Sequence, residues 1–161
     1  HSIIMLCECI LGFLYDGLPP KATDFVDVAW HETLRRTLRR RSRGGSEVGI
    51  LLPIGQRIAH HAILFEDEQV RIVVNVLPTE VLIARPGTVE AMGKLALELG
   101  NLHARVQIAG DTLVTLADGP AEEVLDRLGI QYSQTAERFE PTPVVAAIGF
   151  AEGFRIISPT T

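Results

Sequence analysis

The hydrophobic periodicity of this 161-residue chain changes character once, near Leu77-Pro78. No other feature constrains the fold as much. Before that point apolar and polar residues alternate at the two-residue period of strands. Val48, Ile50 and Leu52 share one face of Glu47–Leu52, and Val70, Ile72, Val74 and Val76 share one face of Val70–Val76. Strands are also expected over Ile3–Leu14, Asp24–Trp30 and Ala62–Phe65, the last separated from Val70 by the acidic turn Glu66-Asp67-Glu68. Breakers fall where turns are needed, at Gly17 to Pro20, Gly44-Gly45, Pro53 and Gly55. Residues 1–77 therefore read as a small, mostly antiparallel β-domain.

Beyond Leu77-Pro78 the order becomes β-α-β-β-α-β, the split βαβ pattern of a ferredoxin-like domain over residues 78–141. Glu80–Ala84 is a short apolar strand. Thr88–Leu99 has helical spacing, with Val89, Met92, Leu95, Ala96 and Leu99 on one stripe and Glu90, Lys94 and Glu98 opposite. Arg105–Ala109 and Thr112–Ala117 are strands joined by a tight Gly110-Asp111 turn. Pro120–Leu128 is a second helix, capped by Asp118 or Gly119 and stopped by Gly129. Ile130–Phe139 is the last strand. Residues 142–161 form a C-terminal tail without a period, apolar enough to favour packing on another surface. The fold class is α+β.

Composition narrows the function. A hydrophobic content of 47% supports a packed core and excludes wholesale disorder. The longest apolar run, Val144–Ala151, is far short of the ~20 residues of a membrane helix. The apolar start Ile3–Tyr15 is broken by Glu8 and has no basic flank, which argues against a secretory signal. His1-Ser2 has the look of an appended remnant. Cys7 and Cys9 are too few for a disulfide framework or a four-thiolate zinc site. The expectation is a soluble, cytoplasmic protein.

The sequence holds no GxSxG, Walker loop, HExxH or GxGxxG, and its carboxylates are scattered, so nothing points to an enzyme. Six arginines lie between Arg35 and Arg43. A basic run can bind phosphates, which leaves RNA binding as one alternative. A net charge of −5 and the lack of interleaved aromatics argue against it. The run also reads as a charged edge strand or turn, or as a docking surface for an acidic protein. Cys7 and Cys9, if on one strand, would share a face, although cysteine is more often a small buried hydrophobe. His31 reads as surface. His60 and His61 would face opposite sides of a strand. His103 stands apart: it lies where the first helix ends, a place whose partial negative charge favours cations. Gly100 and Asn101 are residue types that let the helix turn there.

Gly100-Asn101-Leu102-His103-Ala104-Arg105-Val106-Gln107 resembles the GNxH…Q signature of the urease accessory metallochaperone family, the nickel carriers of urease maturation. Other blocks follow in the family's order. Gly45, Glu47-Val48-Gly49-Ile50 and Leu52-Pro53 are similar to its Gly-x-Glu-Val-Gly-hydrophobic-x-Leu-Pro stretch. Val81 to Arg85-Pro86 looks like the strand opening its metal-binding domain. Leu116-Ala117-Asp118, Leu128-Gly129 and Phe139-Glu140-Pro141 resemble its ending. The resemblance spans about residues 24–141.

It implies an N-terminal peptide-binding domain and a ferredoxin-like domain that binds metal and dimerises. It further implies a homodimer in which His103 of each protomer shares one Ni(II), with pairing of dimers as a further step. Zn(II) and Cu(II) suit the same imidazole. The implied partners are a urease-accessory GTPase and the apo-urease complex. The alternative is a protein-binding module with no metal role. The chain departs from the family in having no histidine after His103. Ala117 and Gly119 stand where some members carry histidine. Glu140, Glu152, tail backbone groups or water are the remaining substitutes as ligands.

Overall fold

A computed structural model describes residues 3–144. The chain forms β1 (Ile4–Cys7), β2 (Gly12–Phe13), β3 (Ala22–Val28), a 3-10 turn over Trp30–Leu34, β4 (Thr37–Arg41), β5 (Glu47–Leu51), β6 (Ala62–Glu66) and β7 (Val70–Val76). It continues with β8 (Thr79–Arg85), α1 (Val89–Asn101), β9 (Val106–Ala109), β10 (Thr112–Leu116), α2 (Gly119–Leu128) and β11 (Gln131–Glu137). The apolar tail expected beyond Val144, with Glu152, lies outside the described residues, as do His1 and Ser2.

The strands before residue 78 build two sheets, in the orders β1-β5-β4 and β2-β6-β7-β3. Val48, Ile50, Leu52, Ile72, Val74 and Val76 all point into one core with Val26 and Val28, whereas Val70 lies outside it and Arg71 and Val73, on the other face of β7, are buried as well. Three of the five pairings among these strands are antiparallel, as expected of a mostly antiparallel domain, and two are not. β1 pairs with β5 in parallel, and β3 pairs with β7 in parallel. Parallel partners require long crossovers, and these strands are far apart in sequence. A residue pattern records which face is apolar, not which distant strand lies alongside. The expected strand Ile3–Leu14 is also split in two, at Glu8 to Leu11.

The arginine run forms the edge strand β4. Carboxylates neutralise part of it: Arg39 and Arg41 both pair with Glu47, at 3.2 and 2.9 Å, Arg43 pairs with Asp27 at 2.7 Å, and Arg40 pairs with Glu32.

The strands after residue 78 form one antiparallel sheet in the order β11-β8-β10-β9. One face, carrying Leu82, Ala84 and Leu113, packs under α1 and α2 against Leu95, Leu99, Val124 and Leu125. Both helices start on side-chain caps. Thr88 accepts from the Ala91 amide at 3.0 Å and Asp118 from the Ala121 amide at 2.9 Å, each worth about 1 kcal/mol. Gly129 ends α2 at φ 67°, the left-handed turn glycine adopts without strain. One expected core residue is outside: Val89, on the first turn of α1, is 91% exposed.

The other sheet face carries Val81 and Val114, which close on the fully buried Phe139. Trp30, from the turn after β3, packs edge-on against Phe139 with ring centroids 5.3 Å apart. Trp30 also packs on the N-terminal core, so this aromatic pair links the two halves.

Candidate metal centre

His103 lies just past α1, and its backbone conformation is unusual. Its φ is 55°, in the left-handed region. Leu102 closes the helix. The His103 amide donates to the Gly100 carbonyl and the Ala104 amide to the Leu99 carbonyl, both at 3.0 Å. This paired arrangement is a Schellman ending, whose left-handed position normally holds glycine. The expected turn residues Gly100 and Asn101 are instead still helical. The turn is made by the histidine itself, where the amides of His103 and Ala104 reach back to the Gly100 and Leu99 carbonyls. A side chain at this φ costs about 1 kcal/mol relative to glycine. In return the imidazole is exposed at the negative end of the helix.

The neighbouring surface is apolar. Val89, Gly93, Leu97 and Gly100 follow one helical stripe on α1, all exposed, with Leu97 at 65%. Leu102, beside His103, is 49% exposed.

Gln107 ties the strand after His103 to the end of the chain. Its side-chain oxygen accepts from the Glu140 amide at 2.9 Å. Thr142 donates to the Val106 carbonyl at 2.8 Å and accepts from the Ile108 amide at 2.9 Å. The chain leaving β11 is thereby laid along the free edge of β9. The motif glutamine thus holds backbone in place. Glu140, a candidate ligand, sits on this segment with its carboxylate 3.7 Å from Arg138.

Among the described residues no three His, Cys, Asp or Glu side chains converge as a ligand set. Cys7 and Cys9 do not share a strand face, since β1 ends at Cys7. Cys7 is buried, its thiol donating to the Cys9 carbonyl at 3.1 Å, while Cys9 is exposed. Burial pushes the Cys7 thiol pKa up, which favours packing over metal binding. His31 is exposed, as expected, though on the 3-10 turn.

His60 and His61 do not face opposite ways. They sit in a turn, with His61 at φ 65°, and their rings stack with centroids 3.9 Å apart. The periodicity argument failed because it assumed a strand. His60 Nδ1 accepts from the Val76 amide at 3.2 Å. Burial first, then the charge of Arg138 and the neighbouring His61, lower the His60 pKa to about 4. The folded chain thus resists a proton that the unfolded chain takes up below ~6.5. Stability should be full above that value and fall as the pH drops towards about 4. His60→Asn, which keeps an acceptor for the Val76 amide, should flatten the decline in urea midpoints. Equal acid slopes in the two proteins would refute this.

The arrangement offers an exposed imidazole at a helix end that also carries an exposed apolar stripe. Such a site suits an accessory that holds a ligand jointly with another surface. Residues 11–77 match the family model of the UreE urease accessory protein, N-terminal domain, and residues 79–153 that of its C-terminal domain. The urease accessory protein UreE of Actinobacillus pleuropneumoniae is 34% identical over 144 residues, 86% of this chain and 76% of that protein. The UreE of Lysinibacillus sphaericus is 30% identical over 138 residues, 84% of this chain and 93% of that protein. That of Halalkalibacterium halodurans is 30% identical over 136 residues, 84% and 91% respectively. The chain belongs to the UreE urease accessory protein family, an accessory rather than a catalytic family. No helix among the described residues is long and apolar enough to cross a membrane.

Proposed function

We propose that the chain carries Ni(II) during urease maturation as a cytoplasmic homodimer, each protomer giving one His103 imidazole to a shared ion. The observation that carries this reading is the placement of His103: exposed, fixed by a Schellman turn, and bordered by exposed Leu97 and Leu102. A single imidazole holds a divalent ion poorly, and a two-fold axis doubles it. Leu97 and Leu102 would lose water in such a contact, which favours the pairing.

Residues 78–141 act in this reading as a ferredoxin-like metal-binding and dimerisation domain, supported by the strand order β11-β8-β10-β9. Residues 1–77 act as a peptide-binding domain, and residues 142–161 as a tail. The ion is cargo. Two imidazoles leave coordination positions open, through which a recipient can take it, here the urease-accessory GTPase and the apo-urease complex. Zn(II) and Cu(II) suit the same ligands, so selection lies in geometry and delivery. Pairing of dimers would bring four imidazoles together.

Calorimetric titration of Ni(II), with the assembly mass followed by sedimentation, tests this. One ion per two chains is expected, with affinity falling on acidification as imidazole protonates. One ion per monomeric chain would overturn the shared site. The basic edge of β4 favours a second reading, a protein-binding module without a metal role. Equal binding of the partner GTPase with and without Ni(II) would support it.

A further inference from the structure

We infer that the outer edge of β4 docks an extended acidic peptide of a partner protein, which joins the three-stranded sheet as a fourth strand. This gives a place and a chemistry to the peptide-binding reading of residues 1–77, on which it rests. It does not depend on the metal reading.

The backbone supplies the first argument. β4 is the last strand in the order β1-β5-β4, antiparallel to β5. The Leu52 amide donates to the Arg36 carbonyl at 2.9 Å and the Ser42 amide to the Ser46 carbonyl at 2.8 Å. Even-numbered residues from 36 to 42 therefore turn their backbone groups towards β5. Antiparallel alternation leaves the amides and carbonyls of Thr37, Arg39 and Arg41 pointing away from the sheet. Exposed edges are commonly blocked by charged side chains, proline or a bulge. β4 carries only the first, which a carboxylate-bearing strand would neutralise, and its register with β5 runs unbroken from Thr37 to Arg41.

The side chains select the occupant. Arg39 and Arg41 flank a single carboxylate, Glu47, and their side chains are 65% and 67% exposed. A groove of about 540 Å³ adjoins Arg39 and is lined also by Arg35, Arg40, Glu32 and the apolar Leu6 and Leu51. Gly49 also lines it, and a Cβ there would lie 3.4 Å from both Ile4 and Leu6. A second copy is a poor occupant, because pairing β4 with itself sets arginine against arginine. Single-stranded RNA is disfavoured too, since β1, β5 and β4 carry no aromatic side chain for base stacking. An extended peptide with carboxylates on the Arg39 and Arg41 face and apolar side chains on the Leu38 face meets both requirements.

The test uses the full chain and a fluorescein-labelled peptide of alternating glutamate and valine, about eight residues long. Fluorescence anisotropy should show binding that weakens with salt. The double variant Arg39→Glu/Arg41→Glu should bind roughly tenfold more weakly or worse. Thr37→Pro should lose binding similarly, since it removes an outward amide that the ladder to β5 does not use. A peptide N-methylated at alternate residues probes the same bonds with the protein unaltered, and should bind weakly. Equal binding of a lysine-valine peptide, preference for a single-stranded RNA, or undiminished binding by folded Thr37→Pro would each overturn the inference. His103→Ala should retain peptide binding and Thr37→Pro should retain Ni(II), so failure of one reading is distinguishable from failure of the other.

Discussion

The His103→Gly variant is expected to fold more stably than the unaltered chain and to take up no Ni(II). The two effects share one cause. His103 occupies the left-handed position of the turn ending α1, at φ 55°, where the Ala104 amide reaches back to the Leu99 carbonyl. Glycine adopts that conformation freely, whereas a residue with a Cβ pays about 1 kcal/mol, so relief of this magnitude should appear in the urea midpoint. His103→Ala separates the contributions, because alanine loses the imidazole and keeps the backbone cost. Both variants should show no calorimetric heat of Ni(II) binding, while only the glycine variant gains stability. Persistent Ni(II) affinity in either would remove His103 from the site. A glycine variant no more stable than the unaltered chain would show that the turn carries no strain.

The second large effect is expected far from the metal, at Phe139. This side chain is fully buried between Val81, Val114 and the ring of Trp30. Phe139→Ala should cost about 3–5 kcal/mol, the lost burial plus the cavity left behind. The loss falls on the contact joining the two halves, since Trp30 belongs to the N-terminal core as well. Trp30 is the chain's one tryptophan, so its emission reports on this junction directly. A red-shifted native spectrum should accompany the lower urea midpoint. A loss below about 1 kcal/mol would mean that the sheet face closes over the gap or that the contact adds little.

Much of the second half was legible in the sequence because its signals are local. Asp118, Pro120 and Gly129 act within a turn or two of their own positions and bracket α2 as expected, while α1 starts one residue after the expected Thr88 and runs two residues past the expected Leu99. Val89 misled because helical spacing defines a stripe without saying how far the core reaches along it. The arginine run left strand and turn equally open, and only the pairing of β4 with β5 settles it as an edge strand. Gln107 was visible only as a motif letter; its partner, the Glu140 amide, is remote in sequence.

His60 and His61 illustrate the opposite limit. Their stacking follows from a positive φ at His61 and from the Val76 amide that His60 accepts, neither written in the local pattern. Among described residues other than glycine, the positive φ values belong to His61 and His103.

The sequence by itself determined most of the apolar faces, the ends of α2 and the change of period near Leu77-Pro78. Those depend on short-range sterics, capping and alternation. The tertiary structure decided that β1 joins β5 and β3 joins β7 in parallel, that Trp30 meets Phe139, and that His103 itself makes the turn that exposes it. Each of these depends on chain segments that meet only when the whole molecule closes, and a local pattern does not encode a remote neighbour.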